Sequence, residues 1–193
     1  SSDLADTRTE AYLQNLERGM EIEGRRFEAG LQDLGNSLLD RAVKAVELMR
    51  LGLSRCAMLA IPGGWDSHGD VTVQAPQWDD FFYCLANLMD YLQRTPGTAT
   101  KWLIDEVTIV ALSEFGRTPL VNGSGGKDHW PYNSALVCGS GVNGNRMIGS
   151  TDDYLIGMPT DFSTGEPSSS GDIIGSEHLG TALLKIAGVD PAN

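Results

Sequence analysis

Three long segments of the chain carry apolar residues at helical spacing. Apolar positions recur every three to four residues in the segments 36–53, 76–94 and 175–187, which is the period of an amphipathic helix. Thr95-Pro96-Gly97 follows the second segment and Gly188 follows the third, and such residues end helices. The pattern therefore predicts three helices, each with one buried face.

Three shorter runs are apolar without helical spacing, namely Cys56–Ile61, Val107–Leu112 and Ala135–Cys138. The second run contains only apolar and β-branched residues and no charge, which is typical of a strand buried on both faces. The order of these strands and helices predicts an α/β fold with a mostly parallel sheet flanked by helices. Residues 139–172 are rich in Gly, Ser, Asp and Pro and predict a long surface excursion.

The start of the chain differs from the rest. Residues 3–29 have the pattern of a polar helix with a thin apolar face, which is weakened by Gly19, Gly24 and Gly30. We therefore expect two parts, an N-terminal helical segment over 1–33 and an α/β domain over 34–193.

Composition narrows the classes of function. The 193 residues are 41% hydrophobic and 21% charged, which is typical of a soluble globular protein. The formal net charge is −12 and Lys and Arg are not clustered, so a nucleic-acid surface and an anionic membrane surface are both disfavoured. No apolar run is long enough to span a membrane. The cysteines form no disulfide framework and are expected to be small buried hydrophobes: Cys56, Cys84 and Cys138.

Three loops contain the residues with chemical character. They are GGWDSHGD (Gly63–Asp70) after the first predicted strand, SEFGRTP (Ser113–Pro119) after the second, and GGKDHWP (Gly125–Pro131) between the second and the third. Ligands of parallel sheets bind beyond the carboxyl ends of the strands. The predicted sheet would therefore bring all three loops to one edge.

Two of the three histidines lie in these loops, each beside an aspartate. In an extended loop Asp66 and His68 project to the same side, because successive side chains alternate. Asp128 and His129 repeat the pair of residues. A carboxylate and an imidazole together can ligate a divalent metal, or one can orient the other. His178 differs, because it lies in the first turn of the last predicted helix, where it would face solvent or cap the helix.

Glu114 and Arg117 add charge to the same predicted edge. Glu114 is a third carboxylate directly after a strand, and the planar guanidinium of Arg117 suits a bidentate contact with phosphate or sulfate. Simpler interpretations are open, since an Asp-x-His loop can be a hydrogen-bonded turn and Glu114 can pair with Arg117. Nucleophilic catalysis is poorly supported, because the chain has no G-x-S-x-G turn and Ser113 is only a weak candidate.

Taken together, the three loop motifs resemble those of a large bacterial family known as domain of unknown function fifteen-oh-one. The resemblance runs from about Leu34 to the C-terminus. The family looks like a branch of the alkaline phosphatase and sulfatase superfamily, which implies an alkaline phosphatase-like fold and a periplasmic or exported location. The superfamily's nucleophile region has no counterpart in Ser1–Ser54, so the resemblance implies either the C-terminal part of a longer member, incomplete at its N-terminus, or a shortened member.

The resemblance also implies a metal site at these loops. The residues that match the superfamily's metal ligands are Asp66, His68, Glu114 and His129. Asp128 would support a ligand through a hydrogen bond. At Phe115 the superfamily's adjacent His is missing, which argues against a full two-metal site. The cofactor would be a divalent metal, and the histidines favour Zn or Mn over Mg or Ca.

These observations lead to a functional hypothesis. The protein would be a metal-dependent hydrolase that cleaves phosphate or sulfate esters, with Arg117 contacting the anionic part of a small-molecule substrate. Two alternatives stay open. One is a non-catalytic binding or scaffold module that keeps the fold, and the other is a purely structural metal site.

Overall fold

The structure, a computed structural model, describes residues 13, 14, 17, 21, 24 and 34–190. The predicted N-terminal segment 1–33 lies outside the described residues, apart from those first five positions, which are helical. Contacts divide the chain into two units. One unit comprises Ser1–Pro62 with Asp80–Asp90, and the other comprises Gly63–Asp79 with Tyr91–Asn193.

Helix α1 spans Leu38–Arg50 and begins with a capping box. The Ser37 hydroxyl accepts a hydrogen bond from the Asp40 N–H at 3.1 Å, and the Asp40 carboxylate accepts one from the Ser37 N–H at 3.0 Å. The helix ends at Arg50, and the chain turns away at Gly52, whose φ of 72° suits glycine. The helix predicted over 36–53 is confirmed within these slightly narrower bounds.

Helix α2 spans Ala75–Arg94 and follows a short 3₁₀ helix over Val71–Gln74. Asp70 caps this 3₁₀ helix, because its carboxylate accepts a hydrogen bond from the Thr72 N–H at 2.8 Å. A proline in the first turn starts α2, and the chain leaves the helix at Thr95. The second predicted helix is confirmed.

Helix α3 spans Ser176–Ile186. Its first turn is capped by His178, whose Nδ1 accepts a hydrogen bond from the Gly175 N–H at 2.9 Å. Gly188 has a φ of 73° and ends the helix, and the Val189 N–H then donates to the Leu184 carbonyl at 2.9 Å. The last predicted helix and the capping role of His178 are both confirmed.

Four short strands form two separate ladders in the described residues. Strand β1 (Thr108–Ala111) pairs antiparallel with β4 (Leu136–Gly139). Strand β2 (Gly116–Arg117) pairs antiparallel with β3 (His129–Trp130). The two long apolar runs of the sequence therefore become neighbours in one ladder, and the residues between them form the other.

The expected α/β fold with a mostly parallel, alkaline phosphatase-like sheet is wrong. The described residues form helices and two small antiparallel sheets. Parallel neighbours require a crossover of a dozen or more residues, usually a helix. The chain between β1 and β4 contains β2 and β3 and no helix, so it returns antiparallel.

The first predicted strand, Cys56–Ile61, is also wrong, because this segment has no regular structure. Among the described residues, its backbone is bonded only by the side chains of Ser54 and Arg41. A strand needs a neighbour to pair its backbone groups, and none of the described residues supplies one. Cys56 is exposed rather than buried, whereas Cys84 is buried and Cys138 is half-buried.

Each unit has its own buried side chains. In the first unit they come from α1 and from the middle of α2, and the apolar ones are Ala42, Ala45, Val46, Phe81, Cys84 and Leu88. In the second unit Leu92 and Leu103 are buried together with two polar residues, Ser67 and Thr160. None of the helices described in 34–190 is both apolar enough and long enough to cross a lipid bilayer.

Candidate functional site

A short ladder places Arg117 beside His129. In the β2–β3 pair, Gly116 lies opposite Trp130 and Arg117 lies opposite His129. Directly paired residues carry their side chains on the same face of a ladder. Position 116 requires glycine, because a β-carbon there would lie 2.1 Å from the carbonyl oxygen of Tyr132. The ladder therefore brings a guanidinium and an imidazole together.

The loop Gly63–Asp70 turns Asp66 and His68 outward and Ser67 inward. Ser67 is 1% exposed, and its hydroxyl accepts a hydrogen bond from Gln74 Nε2 at 3.1 Å. Asp66 and His68 are exposed, and Nε2 of His68 lies 3.6 Å from Oδ1 of Asp66. The alternation expected for an extended loop is present, and burial removes Ser67 as a nucleophile.

Backbone contacts join this loop to the loop that precedes β3. The Lys127 N–H donates to the Ser67 carbonyl at 2.9 Å. At Gly126 the two backbones approach so closely that a β-carbon would lie 2.1 Å from the Ser67 oxygen and 2.2 Å from the His68 oxygen. The predicted convergence of the loops is found, but it arises from direct loop–loop contact and not from the edge of a parallel sheet.

His68 lies between two carboxylates. Its Nδ1 is 2.9 Å from Oδ1 of Asp128, and its Nε2 is 3.6 Å from Oδ1 of Asp66. An ionised carboxylate only accepts hydrogen bonds, so Nδ1 must carry the proton of the bond to Asp128. In a neutral imidazole, Nε2 then has a lone pair close to an anionic oxygen. The same Asp66 oxygen is 3.2 Å from Nη2 of Arg117, which supplies a positive charge beside it.

Asn122 holds the Asp128 carboxylate. Its Nδ2 donates to Oδ1 of Asp128 at 3.0 Å and to the carbonyl oxygen of His68 at 3.0 Å. Its Oδ1 accepts hydrogen bonds from the backbone N–H groups of Ser124 at 2.9 Å and Gly126 at 3.1 Å. Sequence reasoning missed this residue, although an Asn that starts a Gly-rich loop often bonds its own backbone.

Both carboxylates beside His68 favour the ionised form. Hydrogen bonds from His68, and next from Asn122, hold the pKa of Asp128 below its usual value. For Asp66, partial desolvation raises the pKa, but the His68 N–H and the charges of His68 and Arg117 outweigh it, so the pKa is lowered overall. Two negative charges therefore face the His68 ring at neutral pH.

Arg117 is engaged by protein atoms. Its Nη1 donates to the Lys127 carbonyl at 3.0 Å and its Nη2 donates to Oδ1 of Asp66 at 3.2 Å, and the side chain is 16% exposed. The guanidinium carbon lies 5.5 Å from the centroid of the Phe115 ring, which stacks on His129 with 3.8 Å between centroids. The residue predicted to contact a substrate anion therefore also ties the three loops together.

We call five residues the His68 cluster: Asp66, His68, Arg117, Asp128 and His129. The rings of His68 and His129 are 4.7 Å apart between centroids. Glu114 does not join the cluster. It is exposed between β1 and β2, and no hydrogen bond or ion pair within 34–190 links it to Asp66 or to Arg117. The weak nucleophile candidate Ser113 donates its hydroxyl proton to the Phe115 carbonyl at 2.9 Å.

No ready-made metal centre is present in the part of the chain that the structure describes. There, no group of three or more His, Cys, Asp or Glu side chains has an arrangement that could hold a metal ion. Of the four predicted ligands, the structure brings Asp66, His68 and His129 close together, with Asp128 on His68. Asp66 and His129 lie near Arg117. A metal ion would have to compete with Arg117 for the Asp66 carboxylate.

Most of the chain matches a known protein family. Residues 32–160 match the family described as Protein of unknown function (DUF1501). The chain belongs to this family. No curated protein and no solved structure matches the chain.

The DUF1501 match contains the whole His68 cluster and Asn122. It begins close to Leu34, where the resemblance was expected to begin, and it ends before α3, which the resemblance was expected to include. The family description names no activity, so the function has to be argued from the cluster.

Proposed function

We propose that the protein is a metal-dependent hydrolase that acts on phosphate or sulfate esters. The observation that carries the proposal is the position of His68, whose Nδ1 is bonded to Asp128 while its Nε2 lies 3.6 Å from the anionic oxygen of Asp66. A divalent ion between these two atoms would bond to both of them.

The distance and the donor types suit one divalent ion. Two ligands that are each about 2.0–2.2 Å from a tetrahedral ion lie about 3.3–3.6 Å from each other, and His68 Nε2 is 3.6 Å from Asp66 Oδ1. His129, whose ring is 4.7 Å from that of His68 between centroids, would have to move to become a third ligand, because no three such side chains in the described residues are placed to hold one ion. One carboxylate and two imidazoles favour Zn or Mn over Mg or Ca.

The side chains around these ligands have separate tasks. Asp128 would orient His68 and hold the proton on Nδ1, as carboxylates do for metal-binding histidines. Arg117 adds a fixed positive charge 3.2 Å from Asp66, and we keep it as the contact for the anionic group of the ester. Binding would require Asp66 to exchange part of its contact with Arg117 for the ion. The ion itself would supply Lewis-acid activation of the ester.

Two of the predicted residues have less support. Glu114 keeps a proposed ligand role only from its place in the SEFGRTP motif, because it is exposed and joins no metal-binding group among the described residues. We assign no protein nucleophile, since Ser67 is buried and Ser113 bonds the Phe115 carbonyl.

The relation to the alkaline phosphatase and sulfatase superfamily is part of the proposal. It rests on the three loop motifs, because the two antiparallel sheets lend it no support. An exported or periplasmic location follows from the same resemblance and is proposed with it.

Ester hydrolysis tests the proposal. The protein would be stripped with EDTA, reloaded with Zn or Mn, and assayed with p-nitrophenyl phosphate and p-nitrophenyl sulfate. We expect hydrolysis of at least one ester that EDTA abolishes and metal restores. His68→Ala should lose this activity, and His178→Ala, which lies outside the cluster, should keep it. No hydrolysis of either ester by metal-loaded protein would contradict the catalytic role.

A non-catalytic module is favoured by a different observation. Arg117 already neutralises Asp66, and the described residues contain no ready group of three ligands. A proton on Nε2 would then take the place of the ion, and the cluster would serve to lock the loops. Protein that binds no Zn but is destabilised by His68→Ala supports this function. A purely structural metal site would instead bind Zn, unfold on chelation and hydrolyse no ester.

A further inference from the structure

We propose that Asn143 is a site of spontaneous deamidation, where the side-chain amide is converted to aspartate and isoaspartate, whereas the fold protects Asn122 from the same reaction. The sequence contains two Asn-Gly pairs, Asn122-Gly123 and Asn143-Gly144. The structure places these two pairs in opposite environments. The inference does not depend on any activity of the His68 cluster.

Deamidation at an Asn-Gly pair is an intramolecular reaction whose one co-reactant is water. The backbone nitrogen of the glycine attacks Cγ of the asparagine, and a new C–N bond closes a cyclic imide. The side-chain amide nitrogen leaves as ammonia and takes the proton of the glycine N–H. Water then opens the imide at either carbonyl, which gives aspartate or isoaspartate. Glycine favours the attack, because it has no β-carbon and its backbone adopts many conformations.

Both reacting groups of the pair Asn143-Gly144 are accessible. The two residues are exposed, and they lie in the loop after β4, where the chain has no regular structure. The Val142 N–H donates to the Gly139 carbonyl at 3.4 Å, and the next N–H that forms a backbone hydrogen bond is that of Gly149. Within 34–190, no hydrogen bond holds the Asn143 amide or the Gly144 N–H. The glycine nitrogen can therefore approach Cγ without breaking a bond.

The pair Asn122-Gly123 has the same sequence, but its amide is held on both sides. Oδ1 of Asn122 accepts hydrogen bonds from two backbone N–H groups of its own loop, at 2.9 and 3.1 Å. Its Nδ2 donates to Oδ1 of Asp128 and to the His68 carbonyl, both at 3.0 Å. The side chain has to leave these four bonds before Cγ can turn towards the glycine nitrogen. Reaction at this pair therefore requires local opening of the fold.

Reaction at Asn143 would change the charge and the backbone of one loop. Both products carry a carboxylate, so the chain gains one negative charge at this position. Isoaspartate also adds one carbon to the backbone path, because the chain then continues through the former side chain. The residue lies outside all four strands and all three helices. Stored protein should therefore stay folded and become a mixture of forms that differ in charge.

Peptide mapping by mass spectrometry tests the proposal. Purified protein is incubated under mildly alkaline conditions, which favour loss of the N–H proton, and samples are taken over time. The Asn143 amide should be lost about ten-fold faster than the Asn122 amide, or faster still, in native protein. A more acidic form should accumulate in parallel on isoelectric focusing. In protein unfolded with urea, the two amides should be lost at similar rates, because the fold no longer protects Asn122.

Gly144→Ala is the matched variant, because nothing lies within 4 Å of a β-carbon at that position. It should slow deamidation of Asn143 by about ten-fold or more, because the β-carbon hinders the attacking nitrogen. Asn145 is an internal comparison, since it is exposed in the same loop but is followed by arginine. Two results in native protein would overturn the proposal. One is an Asn143 amide that lasts as long as that of Asn145, and the other is equally fast loss at Asn122 and Asn143.

Discussion

Gly126 leaves no space for a β-carbon, because two carbonyl oxygens of the facing loop lie where that atom would be. The contact joins the loop that carries Asp128 to the loop that carries His68. The hydrogen bond between the Asp128 and His68 side chains therefore depends on a residue that has no side chain of its own. A single β-carbon added at position 126 would therefore push the loop of Asp128 away from the loop of His68.

Gly126→Ala should therefore destabilise the protein. The new β-carbon would lie 2.1 Å from the Ser67 oxygen and force the loops apart, at a cost of about 1–3 kcal/mol in the free energy of unfolding. Gly123→Ala is the matched control, because nothing lies within 4 Å of a β-carbon at that position, and its effect should stay within about 0.5 kcal/mol. Urea unfolding of both variants measures the difference, and equal stabilities would refute the close approach.

The residues of the site were predictable where the signal is local. Asp66 and His68 share a side because an extended loop alternates, and that needs only two residues of sequence. Asn122 was not predictable, because its bonds to Asp128 and to His68 depend on how two loops meet. Arg117 was predicted from its chemistry alone, and sequence gave no sign of its bond to the Lys127 carbonyl.

The helices begin and end at local signals. Ser37 and Asp40 start α1 and Gly52 ends it, and each signal lies within a few residues of the helix boundary. Such signals can be recognised from sequence, so all three predicted helices in 34–190 were confirmed. Their contribution to stability can be tested at a single carboxyl group.

Asp40→Asn should weaken α1 in a pH-dependent way. Hydrogen bonds from the Ser37 side chain and backbone lower the pKa of Asp40, so the folded state favours its ionised form. The stabilisation is fully present above the unfolded-state pKa, about 3.9, and is lost as the pH falls through the lower folded-state pKa. Thermal melts should show a higher Tm for wild type than for the variant at neutral pH. This difference in Tm should disappear below about pH 4.

Asp153→Asn provides the control for this titration, because Asp153 lies in an exposed turn and carries no capping bond. Two results would refute the capping box. One is an equal Tm for wild type and Asp40→Asn at neutral pH, and the other is a difference in Tm that persists unchanged in acid.

The strands were harder to predict than the helices, because a strand forms only with a pairing partner that lies far along the chain. The runs at 107–112 and 135–138 were predicted as strands and are confirmed as β1 and β4, but their direction was wrong. Direction is set by the connection, and the chain between them contains a second ladder instead of a crossover helix. Cys56–Ile61 has the composition of a strand and no pairing partner in the described structure, so composition alone misled the prediction.

At the scale of the whole molecule, the reactivity of the three cysteines tests the burial of side chains in both units. Cys56 and Cys84 belong to the first unit and Cys138 belongs to the second. Burial raises the pKa of the Cys84 thiol, an effect that Arg41 partly offsets, and burial also raises the pKa of the Cys138 thiol. The thiolate is the reactive form, so both groups lose reactivity through burial and through protonation.

Ellman's reagent should therefore modify the native protein in two phases. Cys56 is exposed and should react first. Cys84 and Cys138 should react at a rate that is lower by about ten-fold or more. Cys56→Ser should remove the fast phase and leave the slow one. Unfolding in guanidinium should make all three thiols react quickly. A single fast phase for all three thiols in native protein would contradict the burial described for both units.

The most direct test of the central claim is the metal content of the purified protein, measured by elemental mass spectrometry after incubation with Zn or Mn and gel filtration. The account predicts about one ion per chain in wild type and in His178→Ala. It predicts loss of the ion in His68→Ala and in His129→Ala, with both variants still folded by circular dichroism. Wild-type protein without metal, or His68→Ala and His129→Ala with the wild-type amount, would contradict a metal site at the His68 cluster.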